Sequence, residues 1–144
     1  MSQFEYIKFV PEHAYNLKPG RHHATVYMPV EYQLYMYQKL QGITLLLNGE
    51  ICAIMGVVPL HEGVGEVFFM PTDTAYRHMR QIIADLKQWL QIGMDIFNMH
   101  RLQATVLADK PHLSNFVRRL GFVYEGHMYK YGIKQEDVEL WALF

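Results

Sequence analysis

The chain has 144 residues, enough for one domain, and its 51% apolar and 19% charged composition excludes a disordered chain. Thirteen basic and 14 acidic residues leave a formal charge of −1, which argues against binding nucleic acid through a broad basic surface. Because Cys52 is the single cysteine, neither an intrachain disulfide nor a cysteine-based zinc site can form.

The N-terminal part of the chain has the weakest secondary-structure pattern. Residues from Glu5 to Val10 predict a first strand, which Pro11 ends. Residues 11–41 are difficult to assign, although the apolar spacing from Val30 to Leu40 favours a helix after Pro29. We treat residues 1–144 as a single domain because no linker or internal repeat interrupts them.

Three strands follow in sequence. Ile43 to Leu47 and Glu50 to Val58 predict two strands joined at Asn48-Gly49, a dipeptide that favours the positive φ angles of a tight hairpin turn. A third strand is predicted from Val64 to Met70 and stops at Pro71.

The apolar period then changes to that of a helix. Apolar residues recur on one face after Pro71, at Ala75, Met79, Ile82, Ile83, Leu86 and Leu90. Thr72, Asp73 and Thr74 are candidate N-caps, and Gly93 is a candidate end.

The C-terminal part predicts a strand, a helix and two strands. The first strand runs from Leu102 to Leu107, and a short helix after Pro111 closes at Gly121. Two strands, Phe122 to Tyr131 and Val138 to Phe144, complete the chain. The predicted fold class is α/β (α+β), a mixed sheet with helices on its faces.

Three sequence segments resemble the GCN5-related N-acetyltransferase (GNAT) family. They are His100-Arg-Leu-Gln-Ala104, Arg118-Arg-Leu-Gly-Phe122 and Tyr124-Glu-Gly126, in the order and spacing typical of that family. With the hairpin and the long helix, the resemblance covers about residues 43–144. It implies a mostly antiparallel, twisted sheet of about six to seven strands with helices on both faces.

A narrower resemblance involves two strand segments. Residues 44–56 and 66–73 are similar to acetyltransferase-like proteins encoded by tailed bacteriophages, some of which are internal virion proteins. This likeness implies a phage origin and a place in the virion as an alternative to catalysis.

The GNAT resemblance implies binding of acetyl-CoA between a splayed strand and a helix start. The strand would be Val67 to Met70, whose open edge pairs with the pantetheine amides, and the diphosphate would meet the helix start at Ala75 to Arg80. The implied cofactor-binding residues are Phe68, Phe69, Met70, Arg77, His78, Met79 and Arg80.

The sequence departs from the family pattern at the helix start and in the short helix. The family signature Q/R-x-x-G-x-G/A brings glycines to the diphosphate, whereas residues 74–83 contain none, and Asp73 adds a negative charge there. Arg77, His78 and Arg80 could offset this charge and bind phosphate through their side chains, or the two arginines form only a solvated face. The positions of the family's CoA-contacting asparagine and tyrosine acid are occupied by Lys110 and Val117.

Two residues are the candidate catalytic groups. Glu66 lies in the strand where several relatives carry a glutamate base, although a glutamate at such a position is usually part of the polar face of a half-exposed strand. Tyr124 is a candidate acid, as are Tyr129 and Tyr131, with packing or rim positions as the alternative.

The remaining polar clusters carry less specific signals. Eight histidines, including the adjacent His22 and His23, show no metal-binding motif, so we expect no metal site. Cys52 is expected to be a small core residue. Four tyrosines, Tyr27, Tyr32, Tyr35 and Tyr37, could form either a substrate wall or an oligomer contact.

The sequence thus supports two functions. The first is an acyl-CoA-dependent N-acyltransferase that acts on the amine of a small molecule or peptide. The second is an inactive GNAT-fold phage protein with virion proteins as partners. No membrane partner is expected, because residues 51–60, the longest nearly uncharged apolar stretch, are about half of a bilayer span and the N-terminus lacks a signal-peptide pattern. We expect a cytoplasmic protein, in the host cytoplasm or the virion if phage-encoded.

Overall fold

The structure is a computed structural model that describes residues 4–17 and 29–144. Within these ranges, seven strands form one sheet: β1 Phe4–Lys8, β2 Gln41–Leu47, β3 Glu50–His61, β4 Val64–Pro71, β5 Arg101–Leu107, β6 Val123–Met128 and β7 Val138–Leu143. Their spatial order is β1-β2-β3-β4-β5-β7-β6. All neighbours pair antiparallel except β4 and β5, which are parallel, so the predicted mixed, mostly antiparallel sheet is confirmed.

Helices cover both faces of this sheet. They are α1 Pro11–Tyr15, α2 Val30–Lys39, α3 Asp73–Tyr76, α4 Met79–Ile96 and α5 Pro111–Arg119. The larger apolar core lies under α4 and α5, where Ile82, Leu86 and Val117 pack against Leu102 and Ala104 of β5. A smaller core lies on the opposite face, beside α1 and α2.

The local turn signals agree with the structure. Asn48 and Gly49 have φ angles of 53° and 85° between β2 and β3, as a tight hairpin turn requires. Gly121 has a φ of 105° just after α5, so it reverses the chain as predicted. Both signals are local, because the backbone angle that each needs depends on one or two residues.

The long helix differs from its prediction at both ends. It begins at Met79, because α3 ends at Tyr76 and His78 leaves helical geometry with φ −122° and ψ 23°. The amide of His78 donates to the carbonyl of Ala75 at 3.0 Å, an i to i−3 turn that separates the two helices. Ala75 and Met79 both face the core, so the apolar spacing continues through the break and does not reveal it. Gly93 does not end the helix, which continues to Ile96.

The helix α1 was not predicted. It has five residues, with Pro11 in its first turn, and such a short segment is below the length at which apolar periodicity is informative. The predicted helix after Pro29 is confirmed as α2. Among the described residues, no helix is long and apolar enough to cross a membrane.

Candidate functional site

The sheet divides between β4 and β5. Their parallel pairing consists of Val64 with Arg101, Gly65 with Leu102 and Glu66 with Gln103. Beyond Glu66, β4 stays paired with β3 while β5 stays paired with β7. Residues 67–71 therefore have no partner on β5 in the described register, and every second residue there turns its backbone N–H and C=O toward the gap.

A cleft of about 970 Å³ passes through the sheet at this gap. On the α4 and α5 side, it is lined by Val67, Phe69, Met79, Leu113 and Phe116, which also pack against the larger core. Phe69 and Phe116 stack with ring centroids 4.7 Å apart and thereby connect β4 to α5 across the cleft.

The opposite side of the cleft is formed by α1, α2 and the other face of β4. Phe68, Met70 and Tyr37 line it and belong to the smaller core. Tyr32 and Met36 of α2 complete this apolar wall. Because side chains alternate along a strand, Glu66 lies on the same face as Phe68 and Met70.

Glu66 lies where β4 and β5 diverge. Its side chain is partly buried and lines the cleft. Burial raises the pKa of the Glu66 carboxyl, and a hydrogen bond from Gln103 lowers it by a smaller amount. The structure therefore holds a desolvated carboxyl at the junction of the two sides of the cleft, where a base could act.

Gln103 links Glu66 to an ion pair at the sheet surface. The Nε of Arg101 donates to the Oε1 of Gln103 at 3.3 Å, which leaves the amide NH₂ of Gln103 to donate to Glu66. The guanidinium of Arg101 also donates to both carboxylate oxygens of Glu125, at 3.0 and 2.5 Å. This series of contacts fixes the amide orientation and favours the ionised form of Glu66.

The start of α4 lies beside the cleft. Met79 lines the cleft, and the amides of residues 79–81 belong to the first turn, whose N–H groups have no acceptor within the helix. The side chains of Arg77 and Arg80 are exposed beside this turn. The ring of His78 instead packs edge-on against Phe4 of β1, at 5.4 Å between centroids.

The predicted site residues thus fall into two groups. Glu66, Phe68, Phe69, Met70 and Met79 line one cleft, whereas Arg77, His78, Arg80 and Tyr124 are not among its described lining residues. Tyr124 is half exposed on β6, where its ring packs edge-on against Trp141 at 5.5 Å.

The aromatic residues of the sequence analysis also separate. Tyr32, Tyr37 and Tyr131 line the cleft. Tyr35 is exposed on α2, with the Nζ of Lys39 5.6 Å from its ring centroid. Tyr27, His22 and His23 lie outside the described residues.

Sequence reasoning missed two polar residues of the site. Buried and partly buried residues alternate along β5. Gln103 belongs to the partly buried set, which marks the face that carries Glu66. Tyr76 of α3 lines the cleft, and the pKa of its phenol is raised by burial and by the charge of Asp73. Its sequence signal is hidden, because the apolar period predicts one continuous helix across α3 and α4.

Two other sequence expectations concern cysteine and metals. Cys52 is buried in the larger core, as predicted, and burial raises the pKa of its thiol. Within residues 4–17 and 29–144, no group of three His, Cys, Asp or Glu side chains is arranged to hold a metal ion.

Neither a family model nor a curated protein sequence matches the chain. Its structure is similar to a mutant spermidine N-acetyltransferase from Vibrio cholerae, at 14% identity and a TM-score of 0.74 over 98% of this chain and 93% of that one. A putative acetyltransferase from Acinetobacter baylyi is 10% identical, with a TM-score of 0.75 over 99% and 93%. A GNAT-family acetyltransferase from Bacillus anthracis is 15% identical, with a TM-score of 0.62 over 72% and 65%. These likenesses show that the chain has the GNAT fold.

Proposed function

We propose that this protein is an acyl-CoA-dependent N-acyltransferase that transfers an acetyl group to an amine. The observation that carries the proposal is the divergence of β4 and β5 after Glu66, which opens a cleft through the sheet and leaves a desolvated carboxyl at its centre. The structural neighbours named as acetyltransferases support it at the level of the fold.

The residues around the cleft fit acetyl-CoA. The open edge of Val67 to Met70 offers backbone groups to the pantetheine amides, and Phe69 would flank them on the α4 and α5 side, whereas Phe68 and Met70 lie on the opposite face. The first-turn amides of α4 would meet the diphosphate, with Arg77 and Arg80 beside them supplying the positive charge. His78 is assigned no phosphate contact, because its ring packs on Phe4.

The chemical task of this chain is to remove a proton from the acceptor amine. For an amine with the pKa of lysine, about 10.4, deprotonation at pH 7 costs about 4–5 kcal/mol. Glu66 would take this proton directly or through water, and burial makes the carboxylate a stronger base by raising its pKa. Acetyl-CoA supplies the acetyl group as a thioester, and its transfer to nitrogen leaves the free thiol.

The thiol sulfur requires a proton as it leaves. The cleft presents the hydroxyls of Tyr32, Tyr37, Tyr76 and Tyr131, any of which could donate one. Val117, at the position of the family's tyrosine acid, lies in the core and has no proton to give. Tyr124 is half exposed outside the cleft and is a weaker candidate than these four.

A second candidate function is an inactive GNAT-fold protein with a structural role. Two observations favour it: the glycine-free start of α4, and the stacked rings of Phe69 and Phe116 inside the cleft. The phage and virion assignment depends only on the sequence likeness of the strand segments. It stays a prediction, as do the cytoplasmic location and a homo-oligomer.

Thermal unfolding with acetyl-CoA separates the two functions. A ligand at one hundred times its Kd should add about 2.7 kcal/mol to the free energy of unfolding. We expect the double variant Arg77→Ala/Arg80→Ala to bind at least tenfold more weakly. Lys87→Ala, which removes an exposed charge farther along α4, should bind normally. No shift at millimolar acetyl-CoA would refute the transferase proposal.

A further inference from the structure

The described lining of the cleft contains a single acidic side chain. This acidic side chain is Glu66, and the basic residues of the described lining are His112 and Arg119. Residues 1–3 and 18–28 contain no Asp or Glu, so no undescribed part of the chain can add a side-chain carboxylate. Glu12 and Glu31 belong to α1 and α2 but do not line the described cleft.

The wall on the Glu66 side is aromatic and thioether-rich. Phe68 and Tyr37 belong to its packed core, and burial raises the pKa of the Tyr37 phenol. Tyr32, Met36 and Met70 extend the same surface. Such a wall favours an apolar body, and an ammonium group placed against it gains only the cation–π attraction of the rings, which is weaker than an ion pair with a carboxylate.

We infer, on the basis of the proposed function, that the acceptor is an amine with one positive charge and an apolar, aromatic-sized body. Its ammonium group would meet Glu66 at the divergence of β4 and β5, and its body would lie against Phe68 and the tyrosines of α2. A polyamine is a poor match, because its second and third ammonium groups would find no carboxylate in the cleft.

The inferred acceptor differs from the polyamine named for several of the similar structures. Several similar structures are named as spermidine N-acetyltransferases, and spermidine carries several ammonium groups at neutral pH. The fold is therefore shared, while the charge of the cleft selects a different class of amine.

Calorimetric titration of the free protein tests the inference without catalysis. At 200 mM salt, where nonspecific surface attraction is screened, we expect 2-phenylethylamine to bind at least tenfold more tightly than spermidine. Phe68→Ala should weaken 2-phenylethylamine binding at least tenfold, and Phe68→Leu should restore part of it if the alanine variant folds poorly. Tyr35→Ala, on the exposed part of α2, is the matched control and should bind normally.

The outcomes are distinct. Spermidine binding equal to or tighter than that of 2-phenylethylamine would overturn the inference, as would the absence of 2-phenylethylamine binding at 10 mM. Either result would leave the transferase proposal standing if acetyl-CoA still stabilises the protein. If acetyl-CoA has no effect but 2-phenylethylamine binds through Phe68, the transferase proposal fails and the amine preference of the cleft stands.

Discussion

The carboxyl of Glu66 lies in an environment that opposes its ionisation. To act as the proposed base, this carboxyl must be ionised, yet it is partly buried, and burial disfavours the charged form. Gln103 offsets part of this penalty through its hydrogen bond, and Arg101 holds the amide of Gln103 in the required orientation.

Replacing Glu66 should separate catalysis from stability. Because the pKa of Glu66 is raised in the folded state, ionisation destabilises the protein as the pH rises above the unfolded value of about 4.3 and up through the folded pKa. Glu66→Gln should therefore unfold at a higher temperature than the wild type at pH 7, with no such gain at pH 4. We expect kcat to fall about 10²–10⁴-fold in the same variant. Equal melting temperatures at pH 7 would contradict the desolvation argument.

Gln103 should control the pH dependence of activity. Gln103→Leu removes the hydrogen bond that favours the ionised carboxyl, so the pKa of Glu66 rises further and the acidic limb of the kcat/KM profile moves to higher pH. Gln88→Leu, at an exposed position of α4, should leave the profile unchanged. An unmoved limb in Gln103→Leu would show that Gln103 does not act through Glu66.

Among the helices, α4 has a first turn that lies beside the cleft and an interior that packs as an ordinary amphipathic helix. Its first turn is displaced to Met79 by the break after α3, which brings the free amides of that turn beside the cleft. The rest of the helix buries one apolar face, including Ile82, Leu86 and Leu90. Gly93 lies within it and contributes no side-chain contact.

Two glycines, Gly93 within α4 and Gly121 just after α5, should respond oppositely to alanine. Gly93→Ala should stabilise the protein by about 0.5–1 kcal/mol, because a Cβ there meets nothing within 4 Å and the helix loses a flexible residue. Gly121→Ala should destabilise it by about 1–2 kcal/mol. The cause is the φ of 105° and not a steric clash, because the nearest atom to the added Cβ is at an ordinary contact distance of 3.6 Å. Urea unfolding measures both changes. A loss of stability in Gly93→Ala would refute the account of α4.

At the scale of the whole molecule, the sheet consists of two blocks. One contains β1 to β4, the other contains β5, β7 and β6, and three parallel residue pairs join them. On the face covered by α4 and α5, the two blocks share the larger core. The rings of Phe69 and Phe116 stack on the same face and connect β4 to α5. The cleft is therefore held open by packing on one face rather than by sheet pairing.

Removing the stack should weaken the connection between the blocks. Phe116→Ala should lower the free energy of unfolding by about 1–3 kcal/mol, less than for a fully buried phenylalanine, because Phe116 is only partly buried. Amide hydrogen exchange should become faster around residues 67–71, which lack a partner on β5. Tyr129→Ala, which removes a ring 79% exposed, is the control and should change neither measurement.

The features that could be predicted from the sequence are those that depend on neighbouring residues. The hairpin at Asn48-Gly49, the close of α5 at Gly121 and the order of strands follow from local backbone preferences and apolar period, and the three GNAT-like segments indicated the fold. The candidate site, in contrast, depends on contacts between residues that are distant in the sequence. Glu66 and Gln103 are 37 positions apart, and only pairing of β4 with β5 brings them together. The break at His78 is likewise visible only in the tertiary structure, because the core accepts Ala75 and Met79 on one face whether or not the helix is continuous.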